Sequence, residues 1–159
     1  MNKKTTTLCI GGLGLLLAAA PAVAHHAFGA EFDRDAPIRI EGKITRLEWV
    51  NPHTWVHIAV SEMVIGGSTV TPSDPTQEVW AVEGGTPNTL LRRGLRRECL
   101  AIGTEVIVDG YQTKDHSLKR ANGRDITFAD GSKMFLGSSG TGAPYEADAV
   151  AQREAAGRC

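Results

Sequence analysis

The chain has 159 residues, with 17 Lys and Arg against 18 Asp and Glu, a formal charge of −1. At 42% hydrophobic and 6% aromatic it is too apolar for a disordered chain and too charged for a membrane bundle. Eighteen glycines and seven prolines favour short, turn-punctuated elements over a helical bundle.

The first 24 residues read as a secretory signal. Lys3 and Lys4 precede an uncharged apolar stretch from Leu8 to Ala20, and Ala22-Val23-Ala24 supplies a small-x-small cleavage site. The apolar core, 13 residues, is shorter than the roughly 20 that a membrane span needs. Cleavage leaves 135 residues with 15 bases against 18 acids, a formal −3. A periplasmic or secreted protein with no membrane attachment after cleavage is expected. Cys99 and Cys159 remain, in a compartment where a disulfide persists. The alternative is a buried Cys99 and a free Cys159, and spacing does not decide between the two.

Strand patterning begins at Ile38 and runs to Trp49. Ile38, Ile40 and Ile44 share one phase while Leu47 and Trp49 take the other, which predicts a bulge or bend at Gly42 or at Thr45-Arg46. After an Asn51-Pro52 turn, a second strand runs from His53 to Val60. It carries Val56, Ile58 and Val60 on one face and His53, Trp55, His57 and Ala59 on the other. Residues 66–76 read as a long loop, and Glu78 to Glu83 as strand three.

Thr86-Pro87 reads as an N-cap followed by a proline at the first helical position, opening a short helix that ends at Arg93 before Gly94. Glu105 to Gln112 is strand four. Arg124 to Ala129 pairs with Lys133 to Leu136 through Asp130-Gly131, a two-residue hairpin signal. The predicted fold is mainly β, a small OB-like barrel of five or six strands with one short helix, occupying residues 25–136. A two-sheet sandwich is the alternative. Residues 137–159 are Gly-, Ser- and Ala-rich and read as a flexible tail.

Three motifs stand out together: His25-His26-Ala27-Phe28 with Glu31-Phe32-Asp33, Trp49-Val50-Asn51-Pro52-His53, and Gly85-Thr86-Pro87-Asn88-Thr89-Leu90 running to Arg92-Arg93-Gly94. Over about residues 25 to 136 the chain resembles a widespread bacterial family of exported proteins of unknown function. The resemblance implies the fold and export and carries no activity with it. The loop after strand two and the tail with Cys159 depart from the family pattern.

Function must therefore be read from the residues. Cleavage after Ala24 makes His25 the first residue, so that its α-amine and ring nitrogen face one metal, and a further imidazole completes a three-nitrogen set suited to copper. His26 or His53 is the expected third ligand. The competing reading has His25-His26 opening a frayed segment and His53 bonded within its turn. His53 and His57 lie about 13 Å apart along an extended strand and are not expected to share an ion.

Trp55, His57 and Trp80, with Trp49, mark a face on which a flat ligand would stack, against the plainer reading of core packing. Arg92, Arg93, Arg96 and Arg97 form a basic cluster for an anion or protein partner, against the plainer reading of cations placed at a helix C-terminus. His116, in a polar turn, is expected to be solvated. Gly84-Gly85-Thr86 is read as a helix cap in preference to an anion cradle.

The mature chain lacks the basic footprint for nucleic acid. No spaced nucleophile or HExxH set appears, so no catalytic residue is assigned and the reading leans away from an enzyme. The sequence thus supports a small exported protein binding copper or another transition metal. The alternative is a metal-free accessory module binding a small molecule or a protein.

Overall fold

In a computed structural model of the protein, residues 27–137 are described. The predicted signal segment, His25, His26 and the tail from residue 138 lie outside them. Seven strands and two short helices follow in chain order: α1 (Ala27–Glu31), β1 (Phe32–Glu48), β2 (Trp55–Ile65), β3 (Ser68–Val70), β4 (Val79–Glu83), α2 (Pro87–Arg92), β5 (Glu105–Thr113), β6 (Arg120–Phe128) and β7 (Lys133–Phe135). A 3-10 turn at Arg97–Leu100 precedes β5.

Five strands close into a ring. β1 pairs with both β2 and β5, β5 with β6, β6 with β4, and β4 with β2. The β4–β6 pairing is parallel and the others are antiparallel. The mainly β, OB-like expectation holds, with the helix α2 between the third and fourth strands of the ring.

The ring closes because β1, its longest strand, bends. Against β2 its register shifts between Glu41 and Gly42 and again between Ile44 and Arg46, at both predicted places. At the first, β1 comes so close to β2 that a Cβ on Gly42 would lie 2.1 Å from the Ala59 carbonyl oxygen. Only glycine fits that approach.

Period-two alternation then sends one side of the ring strands inward. Ile40, Ile44, Val56, Ile58, Val60, Trp80, Val82, Val108 and Ile126 fill the ring, with Leu90, Leu95, Leu100 and Leu136 closing it. α2 has six residues, far too few for an isolated helix to persist. Burial of Leu90, worth about 1.5–3 kcal/mol, holds it on the ring. The Thr86 side chain accepts a hydrogen bond from the Thr89 amide at 3.2 Å, as the cap reading requires.

Four features depart from the expectation, the first being that β6 begins at Arg120, four residues before the predicted Arg124. β2 continues to Ile65 and turns through Gly66 and Gly67, at φ 56° and 78°, into β3. Two consecutive glycines at positive φ make the tight turn of a hairpin, so the first part of the predicted loop is ordered. β1 starts at Phe32, six residues before the apolar alternation becomes visible, since Asp33-Arg34-Asp35 and Pro37 interrupt it. Finally, α1 adds a second helix, held by Phe28, which packs with Phe32, Phe135 and Tyr111 in a small cluster apart from the main core. Phe28 meets Tyr111 edge-on with ring centroids 5.6 Å apart.

Candidate functional site

His53 sits just before β2, after the Asn51-Pro52 turn. The backbone there is pinned from both sides, Thr54 donating to the Gly85 carbonyl at 3.1 Å and Gly84 to the Thr54 carbonyl at 2.7 Å. β4 runs antiparallel beside β2 with Glu83 opposite Trp55, which carries the Glu83 carboxylate to His53. His53 Nδ1 and Glu83 Oε1 are 2.5 Å apart, the histidine side chain 25% exposed and the glutamate 6%. Burial pushes the Glu83 carboxyl above its ordinary value. The neighbouring His53 opposes that shift, Glu31 reinforces it and Arg120 opposes it.

Glu31 and Arg120 complete the surroundings. Glu31, the last residue of α1, holds the Arg120 guanidinium at 2.8 Å. Arg120, the first residue of β6, lies over the Trp55 ring at 4.7 Å from its centroid. Four parts of the fold thus meet here: the end of α1, the start of β2, the end of β4 and the start of β6. The side chains gathered are one imidazole, two carboxylates, one guanidinium and one indole.

An ionised carboxylate only accepts hydrogen bonds, so with Glu83 ionised and His53 neutral the imidazole proton lies on Nδ1 and the Nε2 lone pair is left for a ligand. This is the carboxylate–histidine arrangement that orients imidazoles toward metals. Among the described residues, however, no group of three or more His, Cys, Asp or Glu side chains is placed to hold a metal ion. Of the three predicted metal ligands, His53 is described, while His25 and His26 lie outside the described residues.

The predicted ligand-binding set does not come together. Trp80 stands opposite Ile58 and points into the core at 4% exposure, whereas Trp55 and His57 alternate outward. The cause is the pleat, which sends Trp80 and Val82 inward together. Trp49 packs partly buried against the core. His57 bonds Glu48 through Nε2 at 2.8 Å, and Glu48 also holds Arg46 at 2.7 Å. His53 and His57 therefore have separate carboxylates.

The arginine cluster divides. Arg93 lies 4.0 Å over the Phe135 ring and donates to the Gly137 carbonyl at 3.4 Å, so it serves the fold. Arg92, Arg96 and Arg97 are exposed. Gly85 donates its amide to the Leu136 carbonyl at 2.8 Å, which leaves that group committed within the fold and supports capping over an anion cradle. His116, 55% exposed, lies 3.4 Å from Asp33.

His53 and Trp55 stand out in the sequence, whereas Glu83, Glu31 and Arg120 become their neighbours only in the fold. Glu83 is thirty residues from His53 in the chain, and no local motif links them. A separate groove of about 420 Å³ opens beside Pro37, Ile38, Val64 and Tyr111, away from all of the predicted site residues. Its flanking Arg39 and Arg124 are paired with Asp109 and Asp125 at 2.9 and 2.7 Å.

No curated protein and no solved structure matches the chain. A family model does, over residues 14–122, more than half of the chain. On that match the chain belongs to the family of unknown function DUF6152.

Proposed function

We propose that the protein is a small exported binder of a transition metal, copper(II) foremost, with His53 Nε2 as one ligand and the mature N-terminus as the other part of the site. The observation that carries this reading is the His53–Glu83 pair, which aims an oriented imidazole from a half-buried setting. Chain reach supports the rest. His25 precedes Glu31 by six residues, at most about 20 Å of chain, and Glu31 is near enough to Glu83 to bear on its charge. With the signal removed before His25, the α-amine and the His25 ring join His53, or His26 takes its place. Three nitrogens suit copper(II). Delivery, uptake or buffering of the metal would follow from such a site.

Metal analysis and titration of the processed protein test this. Unperturbed α-amines titrate near ~7.7 and imidazoles near ~6.5, so copper affinity should fall as pH drops from about 8 to 5. One extra residue before His25 turns the amine into an amide and should remove most of the affinity. His53→Ala should weaken binding, and His116→Ala should not. Tight binding that survives both the extension and the loss of His53 refutes the site. Absence of copper binding by the processed protein leaves the metal-free accessory module as the better reading.

A further inference from the structure

We propose that the C-terminal segment, residues 138–159, docks on the exposed arginine face beside α2 and is clasped there by a disulfide between Cys99 and Cys159. Cys99 sits in the 3-10 turn and is disulfide-bonded. Its Sγ also accepts a hydrogen bond from the Arg96 amide at 3.4 Å. The sequence offers two partners, Cys9 and Cys159. Cys9 lies inside the segment that the export reading removes, and the inference rests on that reading to this extent. Cys159 then remains.

Reach and charge agree with this pairing. The chain leaves the described fold at Gly137, whose carbonyl is bonded by Arg93, six residues before Cys99 in sequence. The 22 residues that follow span up to about 70 Å when extended, more than enough to return to Cys99. They carry Glu146, Asp148 and Glu154 against Arg153 and Arg158. Between Leu91 and Glu98 the chain exposes Arg92, Arg96 and Arg97 together with Glu98 and with Leu91, which is 48% exposed. Among the described residues no carboxylate lies within ion-pair distance of those three arginines. The clasp would therefore occupy with the protein's own acidic segment a surface otherwise open to an anionic partner.

Bond formation balances as a thiol–disulfide exchange. One cysteine thiolate attacks the disulfide of an oxidising oxidoreductase in the export compartment and expels one of its sulfurs. The second thiolate then displaces the other, so that two protons and two electrons leave the pair and the oxidant departs as a dithiol.

The test uses the full-length processed protein. Free thiols are alkylated without reductant, and the chain is cut with a glutamate-specific protease. The expected product is peptide 99–105 joined to peptide 155–159, with an intact mass lower by two hydrogens than after reduction. Linkage to a Cys9 peptide, linkage between two chains, or an alkylated Cys99 overturns the pairing. Phenylglyoxal labelling reads the docking: Arg92, Arg96 and Arg97 should react several-fold faster in Cys159→Ser and in the reduced wild type. Because Cys159 follows the last ring strand, which ends at Phe128, neither preparation alters a core residue. Labelling that does not change when the disulfide is broken overturns the docking.

Discussion

Replacing Glu83 by Gln keeps the size and shape of the side chain but removes the charge that His53 faces at 2.5 Å. An ionised Glu83 can only accept, which keeps the proton of a neutral His53 on Nδ1. A glutamine amide is both donor and acceptor, and by donating to Nδ1 it would move the proton to Nε2, the atom needed for metal. Loss of such an outer partner costs a metal site about 10- to 100-fold in affinity, or about 1.4–2.7 kcal/mol. The effect should lie toward the upper end, since Glu83 is 6% exposed and water cannot readily substitute for it. Glu48 provides an internal control. It is 33% exposed and shared between His57 and Arg46, so Glu48→Gln should change copper affinity by less than about 3-fold. Competition with a chromophoric chelator near neutral pH measures both variants, and nitrogen NMR of the metal-free protein reads the His53 tautomer. Affinity of Glu83→Gln within about twofold of wild type, or an equal loss in Glu48→Gln, would refute the orienting role.

Further outcomes follow from the same contacts. Gly110→Ala would set a Cβ 2.1 Å from the Asn122 carbonyl oxygen. Because a paired strand backbone gives way poorly, a loss of about 3 kcal/mol is expected in urea unfolding, and a loss below about 0.5 kcal/mol would contradict the packing. Gly29→Ala in α1 meets nothing within 4 Å and should be neutral or stabilising by up to about 1 kcal/mol, measured in the same way. Thr86→Ala removes the cap on the Thr89 amide and should cost about 1 kcal/mol in thermal or urea unfolding. The raised Glu83 carboxyl favours the protonated folded state, so its contribution to stability is full below the unfolded-state value and is lost as pH rises through the higher folded one. In metal-free protein, Glu83→Gln should therefore gain stability relative to wild type between mildly acidic and neutral pH. A difference that stays flat, or shrinks, would mean that attraction to His53 outweighs the burial.

Local order was legible along the chain because it depends on neighbours a few residues apart. The alternation of Val56, Ile58 and Val60, the phase change around Gly42 and Thr45 and the Thr86-Pro87 start of α2 each reappear in the fold, and the Asp130-Gly131 hairpin does so with a loop of three residues, Ala129 to Gly131, in place of the expected two. Gly66-Gly67 was visible as punctuation, but whether it opened a loop or closed a hairpin depended on β3 having β2 to pair with. The site was legible in part: His53 and Trp55 stand out by type and position. Their partners do not, for His53–Glu83 follows from the β2–β4 register, and Glu31–Arg120 from the way α1 and β6 are brought together around the ring. Trp80 makes the same point in reverse, since its residue type is equally suited to a ligand face and a core, and the strand pleat alone sent it inward. A periodic pattern specifies which side chains share a face of one strand. Which strand lies beside it, and in what register, is set by closure of the ring around one core, and that closure is what put a buried carboxylate beside His53.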